Sequence, residues 1–278
     1  MKTILLTGAT DGIGLEAART LISKGHRVLM HGRNAAKLQS AAQDVGLANA
    51  DQTTTFLADL SDLSQVYQLA KDVKTRNEHI DVVINNAGVF QVPASASTVT
   101  KDGLDIRMAV NMVAPYILTK ELLPILKPHG RIVNISSAGQ ATVDSTKAFP
   151  TEKTTERLYG NDYEAYSQSK LGLIMWTTVL AGQFTDHMLV SVNPASLIGT
   201  KMVREGFGEH MVRNEVSKGA NILVEAAIGD SFDKTVSGKY FDNDSGRFAP
   251  PHAGATDMAR NQQFVASMEN WLTEHGFQ

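Results

Sequence analysis

TILLTGATDGIG, residues 3–14, sets a short apolar run directly against a cluster of glycines. The run reads as a β-strand buried on both faces. Behind it, LEAARTLISKG (15–25) has helical spacing, so Gly8, Gly12 and Gly14 lie at a strand-to-helix junction. Glycines there let the backbone approach a pyrophosphate, and the helix N-terminus offers free N–H groups and a positive dipole end. The spacing G-x-x-x-G-x-G is a variant of the dinucleotide pattern G-x-G-x-x-G. Thr10, Asp11 and Ile13 complete the loop, and the Asp11 charge does not favour a phosphate. A tight turn with no ligand would use the same glycines. The strand before and the helix after point to a dinucleotide site.

Outward from this junction the pattern repeats. Strand candidates are 3–8, 27–32, 54–60, 81–88, 131–137, 188–194 and 238–241. Segments with helical spacing lie at 15–25, 61–73, 102–126 and 163–184, with a last helix from 257 that is capped by Thr256 or Asp257 and stopped by Gly276. Alternating strands and helices imply a parallel sheet with right-handed crossovers. The expectation is an α/β fold: a single Rossmann-type doubly wound domain over residues 1–278, its parallel seven-stranded sheet flanked by helices. Two stretches break the rhythm, near 138–162 and 195–217. Loops this long in a compact domain are more often functional than incidental, so both read as substrate-side insertions.

The composition excludes several classes. The chain has 278 residues, 42% hydrophobic and 20% charged, with a net charge of -3, so no attraction to nucleic acid is expected. It has no cysteine, and its eight histidines show no paired spacing, so no metal site is expected. The N-terminal apolar run is too short for a secretory core, and no stretch reaches the ~20 apolar residues of a membrane span. A cytoplasmic protein is the expectation. The second strand ends in His31-Gly32-Arg33-Asn34, without the acidic residue that binds the ribose hydroxyls of NAD. Arg33 instead suits a 2′-phosphate, which points to NADP(H), with NAD(H) as the alternative.

Taken in order, TGATDGIG (7–14), Asp59-Leu60, NNAG (85–88), Asn111 in VNMVAP, RIVNISS (131–137), Tyr166-x-x-x-Lys170 and the run from Pro194 to Thr200 resemble the short-chain dehydrogenase/reductase family. The long stretch before the tyrosine and the YSQSK and GKYF segments look most like its retinol dehydrogenase-like and related bacterial reductases. The resemblance implies roles. Asp59 binds adenine, with Leu60 beside it and Asn34 next to Arg33. Asn86, Ala87 and Gly88 line the adenosine and ribose region. Pro194, Ile198 and Thr200 meet the nicotinamide end. Asn111 supports the lysine through a backbone kink and a water, Ser137 holds the substrate oxygen, and Lys170 binds the nicotinamide ribose while tuning Tyr166. Ala195 stands where the family usually has glycine. The run from Pro194 to Thr200 is one residue longer than the common form, and the Ser137-to-Tyr166 gap is about twice the usual one.

YEAYSQSK (163–170) carries the chemistry. A free phenol has a pKa near ~10 and is a poor base at neutral pH. Spacing of four on a helix sets Tyr166 and Lys170 on one face, about 5–6 Å apart at Cβ. An ammonium there stabilises the phenolate, and the phenol can then pass a proton to or from a carbonyl oxygen. Tyr163 lies two turns from Lys170, and Tyr159 precedes the helix, so Tyr166 is the candidate acid/base. Ser136 reads as structural. Met202, Phe207 and Met211 read as an adaptable apolar lid. The expected function is NADP(H)-dependent interconversion of a small-molecule carbonyl and its alcohol. The alternatives are an NAD-linked alcohol dehydrogenase and a non-catalytic dinucleotide-binding redox sensor. Apolar stripes at 102–126 and from 163, including Leu171, Ile174 and Met175, suggest a homodimer or homotetramer.

Overall fold

In the computed structural model, residues 1–46, 52–93, 95–143 and 160–277 are described. Their strands are β1 (Thr3–Leu6), β2 (Arg27–Gly32), β3 (Thr53–Leu57), β4 (Ile80–Asn85), β5 (Leu126–Ile135), β6 (Met188–Asn193), β7 (Tyr240–Asp242) and β8 (Arg247–Ala249). They form one sheet in the order β3-β2-β1-β4-β5-β6-β7-β8. The seven expected strands pair parallel, and an eighth, β8, adds antiparallel to β7 through the turn at Asn243–Gly246. Three residues of β8 carry too little periodicity to be read from sequence.

Strand pleating sorts the apolar residues into two layers. Ile4, Leu6, Val28, Met30, Val133 and Val190 face α1 (Gly12–Ser23) and α8 (Val216–Ile228). Leu5, Leu29, Val83, Ile132 and Leu189 face α3 (Leu63–Arg76), α5 (Ala114–Leu122), α6 (Asp162–Gln183) and α9 (Met258–Glu274). Both faces are thus covered, which is why the strands are almost continuously hydrophobic. Strand order reverses between β1 and β4, and open α/β sheets bind ligands at such a switch point.

The helical expectation at 102–126 changes most. Asp105 caps a short α4 (Ile106–Met108), a π-helical turn follows at Ala109–Val113, and α5 ends at Leu122 before β5 opens at Leu126. The 3.6-residue pattern runs through the π turn, so the sequence does not betray it. A further helix, α2 (Ala35–Gly46), escapes sequence reading because it buries little beyond Leu38, Ala41 and Val45. Asn161 caps α6 and Asp257 caps α9. Of the two insertions, 195–217 holds α7 (Lys201–Phe207) and a 3-10 turn at Glu209–Met211. Most of 138–162, Tyr159 included, lies outside the described residues.

The stripes read as a subunit interface are covered within the chain. Leu171, Ile174 and Met175 are buried, and α9 packs Phe264, Val265, Met268, Trp271 and Leu272 into the same core layer. Glu269 of α9 accepts from Tyr116 of α5 and pairs with Lys120, 3.2 Å away.

Candidate active site

The glycine loop is as tight as its sequence demands. Gly8 and Gly12 have positive φ, 66° and 53°. A Cβ on Gly8 would sit 2.8 Å from Ala87 Cα, and one on Gly14 would sit 2.2 Å from the Gly8 carbonyl oxygen. Only glycine closes this corner between β1, α1 and β4. Asn86 ties it: its Nδ2 donates to the Thr7 and Gly8 carbonyls at 2.9 and 3.1 Å, and Thr7 Oγ1 accepts from the Asn86 and Ala87 N–H groups at 3.0 and 3.1 Å. Asp11 caps α1, its Oδ1 accepting from Gly12 N at 2.7 Å. The N–H groups of Ile13 and Gly14 have no intrahelical partners by construction. A cradle a Cβ would fill, at a helix N-terminus, fits a dinucleotide pyrophosphate.

Sequence reading gave His31 no role. It is buried; its Nδ1 accepts from Gly8 N at 3.3 Å and its Nε2 donates to the Ala58 carbonyl at 3.0 Å. Burial lowers its pKa to about 4, so the neutral ring joins the glycine loop to the end of β3. A histidine on a strand surrounded by apolar residues was the available signal. Arg33 is exposed beyond β2, free to reach a ligand phosphate. Asn34 is exposed, and its Oδ1 accepts from Lys37 N at 3.0 Å at the start of α2. Asp59 accepts from the Ser61 N–H and hydroxyl at 2.9 and 2.7 Å, and the Leu60 side chain is buried.

The far wall is the run from Pro194 to Thr200. Thr200 caps α7 and lies across from Gly12, where a Cβ would stand 3.2 Å from Thr200 Cγ2. Ile198 packs with Ile13 against Gly219. Ala195 has φ 125° and Leu197 φ 52°, conformations that favour glycine. The turn between β7 and β8 braces them. Asn243 Nδ2 donates to the Pro194 carbonyl at 2.8 Å, and Asp244 accepts from Ser196 N at 2.8 Å, Ser196 Oγ at 2.5 Å and Asn193 Nδ2 at 2.9 Å. This bracing was not legible, because it joins segments about fifty residues apart.

Asn111, Ser137, Tyr166 and Lys170 converge beside this cleft. Lys170 Nζ lies 5.6 Å from the Tyr166 ring centre and donates to the Ile135 carbonyl at 2.7 Å. Tyr166 is half-buried, and its phenol is hydrogen-bonded with Ser137. Ser137 Oγ also accepts from Gly139 N at 3.2 Å. Ser136 Oγ donates to the Lys170 carbonyl, a structural bond as expected. Gly88 is the meeting point: a Cβ there would lie 3.4 Å from Asn111 Oδ1 and 3.7 Å from both Lys170 Nζ and Met202 Cε. Asn111 occupies the π turn, the kink that the resemblance implied, but its amide grips other partners. Oδ1 accepts from Val89 N at 2.7 Å; Nδ2 donates to the Val89 carbonyl and to Ser169 Oγ, both at 2.9 Å; Ser169 Oγ donates to the Tyr166 carbonyl at 2.6 Å.

The electrostatics differ from the sequence expectation. Burial raises the Tyr166 phenol, the Ser137 hydrogen bond opposes this, and Tyr163 adds to the rise. Burial also lowers the Lys170 ammonium to about 7. No acidic side chain among the described residues offsets the desolvation of the lysine. In the protein alone, therefore, burial prevails and the phenol lies above its ordinary value.

Over the pair sits an aromatic mouth. Phe90 stands edge-on to Tyr166 and Tyr163, with ring centres at 5.1 and 6.4 Å, and stacks on Phe207 of α7 at 5.0 Å. Met202 reaches Gly88, whereas Met211 lies beyond α7 in the 3-10 turn. Phe90 was missed; its place two residues after NNAG was the signal.

A glycine cradle at the switch point of a doubly wound sheet, facing a tyrosine and a lysine on one helix, defines a dinucleotide-dependent oxidoreductase. Residues 2–205 match the short chain dehydrogenase family, and the chain belongs to it. It is 30% identical over 271 residues to the short-chain dehydrogenase chry4 of Gibberella zeae, covering 97% of this chain and 96% of that one. Retinol dehydrogenase 12 of Homo sapiens is 30% identical over 264 residues, 91% of this chain and 81% of that protein. Among solved structures, a short chain dehydrogenase from Escherichia coli CFT073 complexed with NADPH superposes with TM-score 0.68 at 27% identity, over 87% of this chain and 96% of that one. No helix among the described residues is long and apolar enough to cross a membrane.

Proposed function

We propose that this chain uses NADP(H) to interconvert a carbonyl and an alcohol, with Tyr166 as the general acid/base. The observation that carries the reading is that Tyr166, with Ser137 acting on its phenol, has Lys170 Nζ 5.6 Å from its ring centre, and that the same Nζ borders Gly88 at the mouth of the glycine cradle. The cofactor supplies or accepts the hydride when bound. Ile13 and Gly14 hold its pyrophosphate by backbone N–H groups, Gly8 and Gly12 leave the room for its approach, and Thr10 and Asp11 shape that loop. Arg33 takes the 2′-phosphate, with Asn34, Asp59 and Leu60 bordering the adenine and Asn86, Ala87 and Gly88 the ribose. Pro194, Ile198 and Thr200 border the nicotinamide end.

The remaining steps belong to the chain. Ser137 donates to the substrate oxygen and fixes its place. Tyr166 gives its proton to that oxygen during reduction and takes it back during oxidation. Lys170 becomes charged when an anionic ligand enters a cleft poor in carboxylates, and as an ammonium it makes the phenolate tolerable. Asn111 holds the Val89 backbone and, through Ser169, the backbone of Tyr166 itself.

Phe90, Tyr163, Met202 and Phe207 give the mouth an apolar, aromatic lining, which fits a small or medium substrate that is at least partly apolar. Retinol, named in one relative, is an alcohol of that kind. The reading takes residues 1–278 as one catalytic domain working in the cytoplasm. It is tested by oxidation of NADPH and NADH with a panel of apolar aldehydes and ketones. NADPH turnover that exceeds NADH turnover, and loses that margin in Arg33→Ala, supports it. Tight NADPH binding with no turnover across the panel would instead support the redox sensor, and equal use of NADH would support the NAD-linked enzyme.

A further inference from the structure

Arg107 is the largest charged side chain sealed among the described residues, with no exposed surface. It stands one turn before Asn111, and each of its nitrogens is directed. Nε donates to Asp105 Oδ1 at 2.8 Å and Nη2 to Asp105 Oδ2 at 2.6 Å, a bidentate pair. Nη1 donates to Asp162 Oδ1 at 2.8 Å and to the Phe90 carbonyl at 3.3 Å. One guanidinium thus joins three segments: the stretch that follows β4, the start of α4 and the first residue of α6.

Asn111 joins the same three segments a turn lower, through Val89 and Ser169. Tyr166 lies between the two anchor points of α6, Asp162 above and Ser169 below. Phe90, whose carbonyl Arg107 holds, touches the Tyr166 ring with its own. A buried arginine is kept charged at considerable desolvation cost, and removing one partner strands the others. Apolar packing would join the segments with less cost, but it would not fix the rotation of the α6 turn that carries the phenol.

We propose that Arg107 is a positioning residue for the reaction: through Asp162 and the Phe90 backbone it sets where the Tyr166 hydroxyl stands relative to Ser137 and Lys170. The inference rests on the reading of Tyr166 as the acid/base, and goes beyond it by assigning a second clamp on that residue.

The test compares Arg107→Met, Asp162→Ala, Asp162→Asn and the Arg107→Met/Asp162→Ala double variant by steady-state kinetics with NADPH and one reducible ketone. Asp162 is 28% exposed and Asp162→Asn keeps an acceptor for Nη1, so the Asp162 variants, each checked for folding by circular dichroism, decide the matter even where Arg107→Met does not fold. The expected result is a tenfold or larger fall in kcat for Arg107→Met and for Asp162→Ala, with KM for NADPH within twofold. Asp162→Asn keeps a carbonyl acceptor for Nη1 and recovers most of the loss. The double variant is no worse than either single one, as for two groups acting as a unit. Full kcat in Asp162→Ala, additive losses, or equal losses in kcat and NADPH affinity would overturn the proposal. Should Tyr166→Phe itself keep full turnover, the functional reading fails first, and the two failures are told apart.

Discussion

Lys170 is buried without a counter-charge, and its ammonium pKa falls from 10.5 to about 7. Unfolded, the same lysine stays protonated to its ordinary value. Between about pH 7 and 10.5 the unfolded chain therefore binds more protons than the native one, so this residue makes stability rise with pH across that window. Below about pH 7 both states are protonated, and the contribution is flat at its least favourable. The expected outcome is an alkaline rise in unfolding free energy, on the order of 1 kcal/mol per pH unit, that Lys170→Met abolishes. Urea titrations of both proteins at pH 7, 8 and 9 check it; parallel curves would refute the assignment. The Tyr-Lys pair itself was legible because helical spacing places both on one face. Its electrostatics were not, because Lys170 is enclosed by Gly88, Asn111 and Ile135, which come from three separate parts of the chain.

At the scale of elements, two loops carry the strain and the specificity. Ala195 stands at φ 125° with Asn243 and Asp244 bracing its neighbours. Such a conformation costs a non-glycine residue of order 1–3 kcal/mol. Ala195→Gly relieves it and raises unfolding free energy by about 1 kcal/mol, whereas Asp244→Ala releases Ser196 and weakens NADPH binding; chemical denaturation and fluorescence titration measure the two. The departure from glycine was visible in the sequence, but the turn that compensates for it was not. In α7, a Cβ on Gly206 would lie 2.4 Å from Phe90 Cε1. Gly206→Ala accordingly forces Phe90 off Phe207. The expected effect is a rise of about tenfold in KM for apolar ketones, equivalent to ~1.4 kcal/mol, with KM for NADPH little changed. An unaltered ketone KM would remove the Phe90–Phe207 stack from the substrate site. The π turn at Ala109–Val113 was implied only by family resemblance, since one extra residue in a helical turn leaves the apolar pattern intact.

For the whole molecule, the parallel sheet and its switch point followed from strands covered on both faces, and seven of the eight strands were legible for that reason. The placing of α9 was not. Its periodicity announces a helix but not which surface it meets. By laying Phe264, Met268 and Trp271 over α6, it covers the stripe formed by Leu171, Ile174 and Met175, which the sequence alone suggests for a partner subunit. That stripe is buried within one chain and so is not itself an interface. Sedimentation velocity at micromolar concentration is expected to show a monomer, and removal of residues 258–278 is expected to produce oligomers or aggregates. A dimer of the intact chain that Glu269 and Lys120 variants weaken would contradict this.

The account's central claim concerns one phenol, and Tyr166→Phe addresses it without disturbing the packing of the ring against Phe90. Turnover of a ketone with NADPH is the measurement, with NADPH affinity taken alongside from fluorescence titration. Loss of a positioned general acid predicts a fall in kcat of about 10²–10⁴-fold at near-constant NADPH affinity. A Tyr166→Phe protein that binds NADPH normally and still turns over at the wild-type rate would contradict it.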